Sequence, residues 1–175
     1  MIFLKKTYES MEDVYKINEI QSLKRLPNHP NILRLIELVY DKTSGKVALV
    51  FENMESDLHN FKNDRPDNET ILESTAQNYV YQLLKGIKHL HSYGMIHGNI
   101  TSRNVFTCKE LIKILPLQIN KPEYSKITSY SAPELIVSKP NYDFKIDIWA
   151  AGGIFYELLK TKPLFRETAP YEHLD

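Results

Sequence analysis

The sequence predicts an α+β fold in two parts, a β–α–β–β segment followed by a mainly helical segment. Two adjacent strand-like apolar runs, NILRLIELVY and KVALVFENM, indicate the first part. Two longer stretches with apolar residues at helical spacing, one near residues 76–90 and one near 148–159, indicate the second part. The pattern changes near residues 53–58, which divides the chain into predicted parts at 1–53 and 54–175.

The first part is predicted from local patterns in chain order. Residues 2–5 (IFLK) predict a short strand. Ser10 then opens one predicted helix that Pro27 ends, with apolar residues at helical spacing. These residues are Met11, Val14, Ile17, Ile20 and Leu23. The two apolar runs are joined by DKTSG, whose turn residues predict a β-hairpin.

The second part opens with the polar stretch SDLHNFKNDRPDNE, which predicts a linker or a short helix and loop. A long helix follows, and Gly94 is placed to end it. Its predicted apolar stripe consists of Ala76, Tyr79, Val80, Leu83, Leu84, Ile87 and Leu90. MIH, NVFT and LIKIL predict short strands, and a last helix is predicted from residues 142–143 to about 160.

Composition and charge narrow the class of protein. The 175 residues contain 22 basic and 22 acidic side chains, so net charge gives no indication of nucleic-acid or membrane binding. The apolar runs are shorter than the ~20 residues that span a bilayer. A single cysteine, Cys108, is typical of a reducing compartment. We therefore expect an intracellular location, cytoplasmic with the nucleus as an alternative, and the oligomeric state stays open.

Four motifs carry a family resemblance: HPNIL (29–33), HGNITSRN (97–104), SAPEL (131–135) and DIWAAGGIFYELL (147–159). With the order of elements, they resemble a eukaryotic protein kinase domain, and the likeness is greatest to the MAK/MOK branch of the CMGC group. The resemblance implies a bilobal fold, with a partial small lobe before residue 54 and a partial large lobe after it. It also implies that the chain is truncated, beginning at the family's third strand and ending after its central large-lobe helix.

The resemblance places the family's catalytic loop at residues 97–104. Its pattern His-Arg-Asp-x-x-x-x-Asn puts Asn99 at the base Asp, Asn104 at the metal-binding Asn and Gly98 at the Arg. An amide accepts a hydrogen bond but cannot take a proton, so we expect general-base catalysis to be lost. Asp147 matches the Asp that ties this loop to the central helix.

The resemblance also implies losses at the phosphate and metal positions. Pro116-Leu117-Gln118 stands at the Asp-Phe-Gly motif, so we expect no magnesium site. Ile2 falls at the strand Lys that pairs with the helix Glu, here Glu19, and Lys5 or Lys6 replaces it only if the strand register slips. No Gly-rich loop is found in the chain. Tyr124 matches the activation-loop Tyr, with an ordinary exposed loop residue as the alternative.

A hinge for ATP is implied at VFENMESDL, after Phe51 as gatekeeper. Backbone groups of Glu52 and Met54 would meet the adenine, and Asp57 would face the ribose. A buried strand end and a helix N-cap use the same residue types, so both interpretations stay open.

The resemblance therefore predicts a catalytically impaired Ser/Thr protein-kinase-like protein, a pseudokinase, that acts through protein partners. ATP is its only candidate cofactor. Two alternatives remain: a weakly active ATP-dependent kinase of the MAK/MOK type, and a truncated product that folds poorly.

Overall fold

The computed structural model describes residues 2–3, 7–66, 71–116, 127–137, 142–160 and 162–165. The strands and helices follow one another as β1 (Ile2–Phe3), α1 (Met11–Tyr15), α2 (Asn18–Arg25), β2 (Leu35–Asp41), β3 (Lys46–Phe51), β4 (Ser56–Asp57), α3 (Leu58–Asn63), α4 (Glu73–Ser92), β5 (Val105–Cys108), β6 (Leu111–Ile114), α5 (Pro133–Val137) and α6 (Lys145–Lys160). The predicted α+β class is confirmed. Among the described helices, none is both long enough and apolar enough to cross a membrane.

The first sheet has the order β1–β3–β2, and both pairs are antiparallel. The predicted hairpin is confirmed, because β2 and β3 are joined by a turn in which Gly45 adopts a positive φ of 66°. The N–H of Gly45 donates to the carbonyl of Asp41 and closes the turn. One face of the sheet packs on α1 and α2 through a buried cluster of Val14, Ile20, Leu23, Val47 and Leu49.

The single helix predicted between Ser10 and Pro27 is wrong, since the structure has two helices. α1 ends at Tyr15 with Lys16 as its C-cap, and Ile17 adopts an extended conformation as the N-cap of α2. The physical reason lies in the apolar spacing. A strict three-residue repeat lags an α-helix by about 60° per step, so a continuous helix could not keep every apolar residue on one face. The break turns the later residues back toward the sheet.

The second part is built on α4 and α6, which pack against each other, and α4 also packs against β6. The second sheet has the order β4–β5–β6. Most of the predicted α4 stripe is buried, namely Ala76, Tyr79, Leu83, Ile87 and Leu90. Leu84 is 39% exposed, because it lies about 100° around the helix from Leu83. As predicted, α4 ends before Gly94, which has a φ of 70°.

The strand predicted at residues 95–97 is wrong, because their backbone groups bond elsewhere. The N–H of Met95 donates to the carbonyl of Leu90 at the end of α4, and the N–H of His97 donates to Asp147 of α6. These residues form an irregular loop. α6 begins at Lys145, slightly later than predicted.

Residues 28–34 connect the two sheets. The N–H of Leu33 donates to the carbonyl of Ile114, and the N–H of Ile114 donates to the carbonyl of Asn31. A Cβ at Gly86 of α4 would lie 2.8 Å from this Asn31 carbonyl oxygen, so only glycine allows the helix to approach so closely. The division of the chain at residues 53–54 stays a prediction.

Candidate active site

The loop at residues 97–104 is fixed by a buried carboxylate of α6. Oδ2 of Asp147 accepts from the N–H of His97 (2.9 Å) and Oδ1 accepts from the N–H of Gly98 (2.8 Å). Nε2 of His91 on α4 lies 2.8 Å from the same Oδ2. Asp147 is 1% exposed. The sequence prediction that Asp147 ties down this loop is therefore confirmed.

Gly98 has a conformational role that sequence reasoning missed. Its φ is 73°, in the left-handed region that glycine adopts without steric cost. The sequence prediction treated Gly98 only as the loss of an arginine. The sequence signal that could have indicated this turn is a glycine placed directly after His97 in the loop motif.

His97 connects the loop to the end of β6. Its Nδ1 accepts from the N–H of Asn99 (3.2 Å), so the proton of the neutral ring lies on Nε2, which donates to the carbonyl of Leu115 (2.8 Å). Burial lowers the pKa of His97, although Asp147 and the Leu115 carbonyl act in the opposite direction. The ring is thus held neutral in one tautomer.

The structure predicts a specific pH dependence for His97. Because its folded pKa is lowered, its contribution to stability is complete above the unfolded value near 6.5 and is lost as pH falls below that value. We expect ring ¹⁵N chemical shifts to show His97 still mainly neutral, with the proton on Nε2, at pH 6.5. A ring that is already half protonated at pH 6.5 would contradict this assignment.

Asn99 and Asn104 are brought together, as the loop motif predicts. Nδ2 of Asn104 donates to the backbone carbonyl of Asn99 (2.9 Å), and the N–H of Asn104 donates to the carbonyl of Thr101 (3.0 Å). The N–H of Leu115 donates to the carbonyl of Asn104 (2.9 Å), which places Pro116 beside the loop. Pro116 is buried. The Asn104 amide thus stabilises the loop from within.

The predicted hinge residues have different surroundings. The N–H of Glu52 donates to the carbonyl of Arg34, and its carboxylate accepts from the N–H of Arg34 and from Nζ of Lys113, both at 2.7 Å. Burial acts to raise the pKa of Glu52, but the hydrogen bonds from Lys113 and Arg34 outweigh it and lower the pKa. Within the described residues, the backbone N–H and carbonyl of Met54 form no hydrogen bond.

Asp57 is the N-cap of α3. Its Oδ1 accepts from the N–H of Asn60 (2.8 Å) and its Oδ2 from the Asn60 side chain (2.9 Å). The sequence left two interpretations of Asp57, a ribose contact and a helix N-cap, and the structure shows the N-cap. The N–H of His59 donates to the carbonyl of Ser102 (3.2 Å), so α3 also holds the hinge segment against the loop.

Several predicted positions are only partly described. Ile2 lies in β1, and its Cα is paired with that of Leu49. Glu19 lies in α2, but its side chain is outside the described part of the structure. Lys5, Lys6 and Tyr124 lie outside the described residues altogether.

A second buried polar network lies next to the loop and was not predicted. The hydroxyl of Tyr130 donates to Glu157 of α6 and contacts the hydroxyl of Ser102 (2.8 Å). Nζ of Lys62 lies 2.6 Å from the other oxygen of Glu157. Burial and the Glu157 hydrogen bond raise the pKa of Tyr130. A lone Glu in the apolar sequence of α6 is the signal that could have indicated a buried ion pair.

Comparison with known proteins decides the family. The family described as protein kinase domain matches residues 2–174. The chain belongs to the protein kinase family. Its fold is therefore a partial protein-kinase fold, with a small sheet-containing lobe and a mainly helical lobe.

Curated relatives place this kinase chain in the MAK branch. It is 35% identical to the human MAPK/MAK/MRK overlapping kinase over 170 residues, covering 93% of the chain and 40% of that protein. It is 31% identical to the mouse serine/threonine-protein kinase MAK over 180 residues, covering 98% and 28%. It is 32% identical to the mouse serine/threonine-protein kinase ICK over 171 residues, covering 93% and 26%. The chain thus spans at most two fifths of the length of these relatives.

The kinase family implies ATP and magnesium, and the residues present fit these two groups differently. The backbone groups of Met54, which form no hydrogen bond within the described part of the chain, suit an adenine edge. Magnesium prefers anionic oxygens, whereas the loop offers the neutral amide of Asn104, and the Pro116 side chain has no ligand atom. The carboxylate of Asp147 already accepts from the N–H groups of His97 and Gly98. In the described part of the chain, no three His, Cys, Asp or Glu side chains could hold a metal ion. These residues do not fit magnesium.

Proposed function

We propose that the chain is a catalytically impaired Ser/Thr protein-kinase-like protein, a pseudokinase, that acts by binding protein partners. One observation carries the proposal. The loop at residues 97–104 is held in place by Asp147, yet its base position is the amide Asn99 and its metal position is the buried Pro116. The supports of the site are present, while the groups that handle protons and metal are replaced.

The expected loss of activity is large. A general base contributes roughly 10²–10⁴-fold to a proton-transfer step, and an amide cannot supply it. A metal ion contributes several kcal/mol of charge stabilisation in phosphoryl transfer, and neither Pro116 nor Asn104 alone can hold one. Such losses are not additive, but each alone is expected to lower transfer by orders of magnitude.

Exposed apolar side chains on and beside α6 support a role in protein binding. Phe144, Ile148, Trp149 and Tyr156 expose between 38% and 49% of their surface. Patches of large apolar side chains mark sites of protein–protein contact.

The proposal predicts equal transfer by the natural chain and an Asn99→Ala variant. Both are incubated with labelled ATP, magnesium and a general protein substrate, and incorporated phosphate is counted. Asn99→Ala removes the amide at the base position without touching Asp147. Because Asn99 is not expected to act as a base, both chains should remain at the level of a no-enzyme blank. Transfer by the natural chain at ten times the level of the variant would refute the proposal.

The alternative, a weakly active ATP-dependent kinase of the MAK/MOK type, is favoured by the unpaired backbone groups of Met54. The two functions differ in magnesium dependence. A thermal-shift titration with ATP, with and without magnesium, should show no magnesium-dependent stabilisation if the residues at the metal position bind no cation. A magnesium-dependent shift together with transfer above the Asn99→Ala level would favour the kinase.

We also propose an intracellular, cytoplasmic location, with the nucleus as the alternative. The support is the single free thiol, Cys108, among the 175 residues.

A further inference from the structure

A polar pocket of about 290 Å³ lies where residues 28–34 meet the ends of β3 and β6. The pocket lining includes Asn28, His29, Ile32, Arg34, Glu52 and Lys113. Residues of the catalytic loop do not line it. We call it the 28–34 pocket.

Three hydrogen-bond donors at the 28–34 pocket have no partner among the described residues. The guanidinium of Arg34 is exposed and forms no hydrogen bond or close ion pair there, although its charge helps to lower the pKa of Glu52 and its backbone N–H donates to the Glu52 carboxylate. The side-chain amide of Asn28 is also without a partner in that part of the chain. Nδ1 of His29 accepts from the N–H of Asn31 (3.1 Å), so its neutral ring carries the proton on Nε2, the third donor.

The remaining polar groups of the pocket leave an excess of positive charge. Nζ of Lys113 lies 2.7 Å from the Glu52 carboxylate, which also accepts from the Arg34 N–H, so the charge of Glu52 is already compensated. Lys113 uses one of its three donors in this pair. Two cationic side chains therefore face one satisfied carboxylate.

The electrostatics of His29 agree with this excess. Its pKa is lowered first by partial burial and then by the neighbouring His89 and Lys85. The His29 ring stacks on His89 with centroids 4.6 Å apart. Lys85 of α4 thus adds a positive charge near His29.

We propose that the 28–34 pocket binds a compact oxyanion, a phosphate or carboxylate group, carried by a side chain of a polypeptide partner. Arginine presents a planar fork of donors that matches the oxygens of such groups, and clusters of donors around an arginine are a recurring way of binding phosphorylated or acidic motifs. Asn28 and His29 supply further donors at the same pocket. The inference goes beyond the proposed function, because it holds whether or not the chain transfers phosphate.

The test uses inorganic phosphate as the first probe and Arg34→Gln as the variant. Binding is followed by calorimetry and by the ring resonances of His29. We expect saturable binding that shifts the His29 signals and that Arg34→Gln weakens by about tenfold or more, as expected for loss of a charge-assisted hydrogen bond. Arg65→Gln is the matched control, because Arg65 lies outside the pocket, 5.0 Å from the Phe61 ring. Equal binding by both variants, or no saturable binding, would overturn the inference.

Binding measurements with two peptides identify the kind of side chain that carries the oxyanion. A phosphoserine peptide that binds more tightly than inorganic phosphate, with an unphosphorylated glutamate peptide binding weakly, assigns the pocket to phosphorylated side chains. The reverse order of the two peptides assigns it to acidic side chains. Binding of inorganic phosphate without binding of either peptide would overturn the polypeptide part of the proposal.

Discussion

Replacing Asp147 by Asn is expected to lower the free energy of unfolding by about 3 kcal/mol. The Asp147 carboxylate accepts from the N–H groups of His97 and Gly98 on its two oxygens. An amide of the same shape has one oxygen and one NH₂ group, so one buried backbone N–H then faces a donor. A buried N–H without an acceptor costs roughly 1–3 kcal/mol, and loss of the charged acceptor adds to this cost.

The measurement is urea unfolding of the natural chain, Asp147→Asn and Asp143→Asn. Asp143 is the matched control because its side chain is 53% exposed and forms a surface ion pair with Lys145. Its Oδ1 also accepts from the Lys145 N–H at the start of α6, a role that Asn fills equally well. We expect Asp143→Asn to leave the urea midpoint close to that of the natural chain, because exposed ion pairs contribute little to stability. If both variants unfolded at the same urea concentration, the conclusion that Asp147 stabilises the loop at residues 97–104 would be disproved.

Replacing Lys62 by Met is expected to cost about 3–5 kcal/mol, the range observed when one partner of a buried ion pair is removed. The side chains of Lys62 and Glu157 are 8% and 4% exposed, and their charged atoms lie 2.6 Å apart. Met preserves the length of the side chain but leaves the Glu157 charge buried with the Tyr130 hydroxyl as its remaining partner.

Two further variants test whether the unpaired buried charge of Glu157 causes the loss of stability in Lys62→Met. The double variant Lys62→Met, Glu157→Gln should recover most of the loss, because a neutral amide still accepts from Tyr130 and needs no cation. Lys16→Met is the control for an exposed pair, since Lys16 is 73% exposed beside Asp13 and should cost less than about 1 kcal/mol. A loss at Lys62 no greater than that at Lys16 would show that the buried pair contributes nothing.

The sequence predicted those parts of the fold that depend on local pattern. The β2–β3 hairpin, α4 with its end before Gly94, and the attachment of residues 97–98 to Asp147 were all predicted from residues near one another or from a motif. The break at Ile17 cannot be predicted from residue type alone. Apolar residues spaced three apart shift progressively around a continuous helix, and only this shift indicates a break.

The rest of the site could not be predicted because it depends on contacts between distant residues. Lys62 and Glu157 are 95 positions apart, and nothing local indicates that a surface-type Lys on α3 is buried by α6. The same holds for Glu52, whose carboxylate binds Lys113 from 61 positions away. The resemblance assigns Ile2 to the family's strand Lys position and Glu19 to its helix Glu position, and both assignments stay predictions.

The dependence of the loop on α6 has a consequence for the order of folding. Asp147 lies 50 residues after His97, and Glu157 lies 27 residues after Tyr130. Contacts between distant positions form late, because closing a long stretch of chain costs entropy before any contact compensates it. On a ribosome, the loop at residues 97–104 therefore emerges well before the helix that fixes it. We expect a nascent chain stalled before Lys145 to exchange the amide hydrogens of His97 and Gly98 rapidly, and a chain released after Lys160 to protect them.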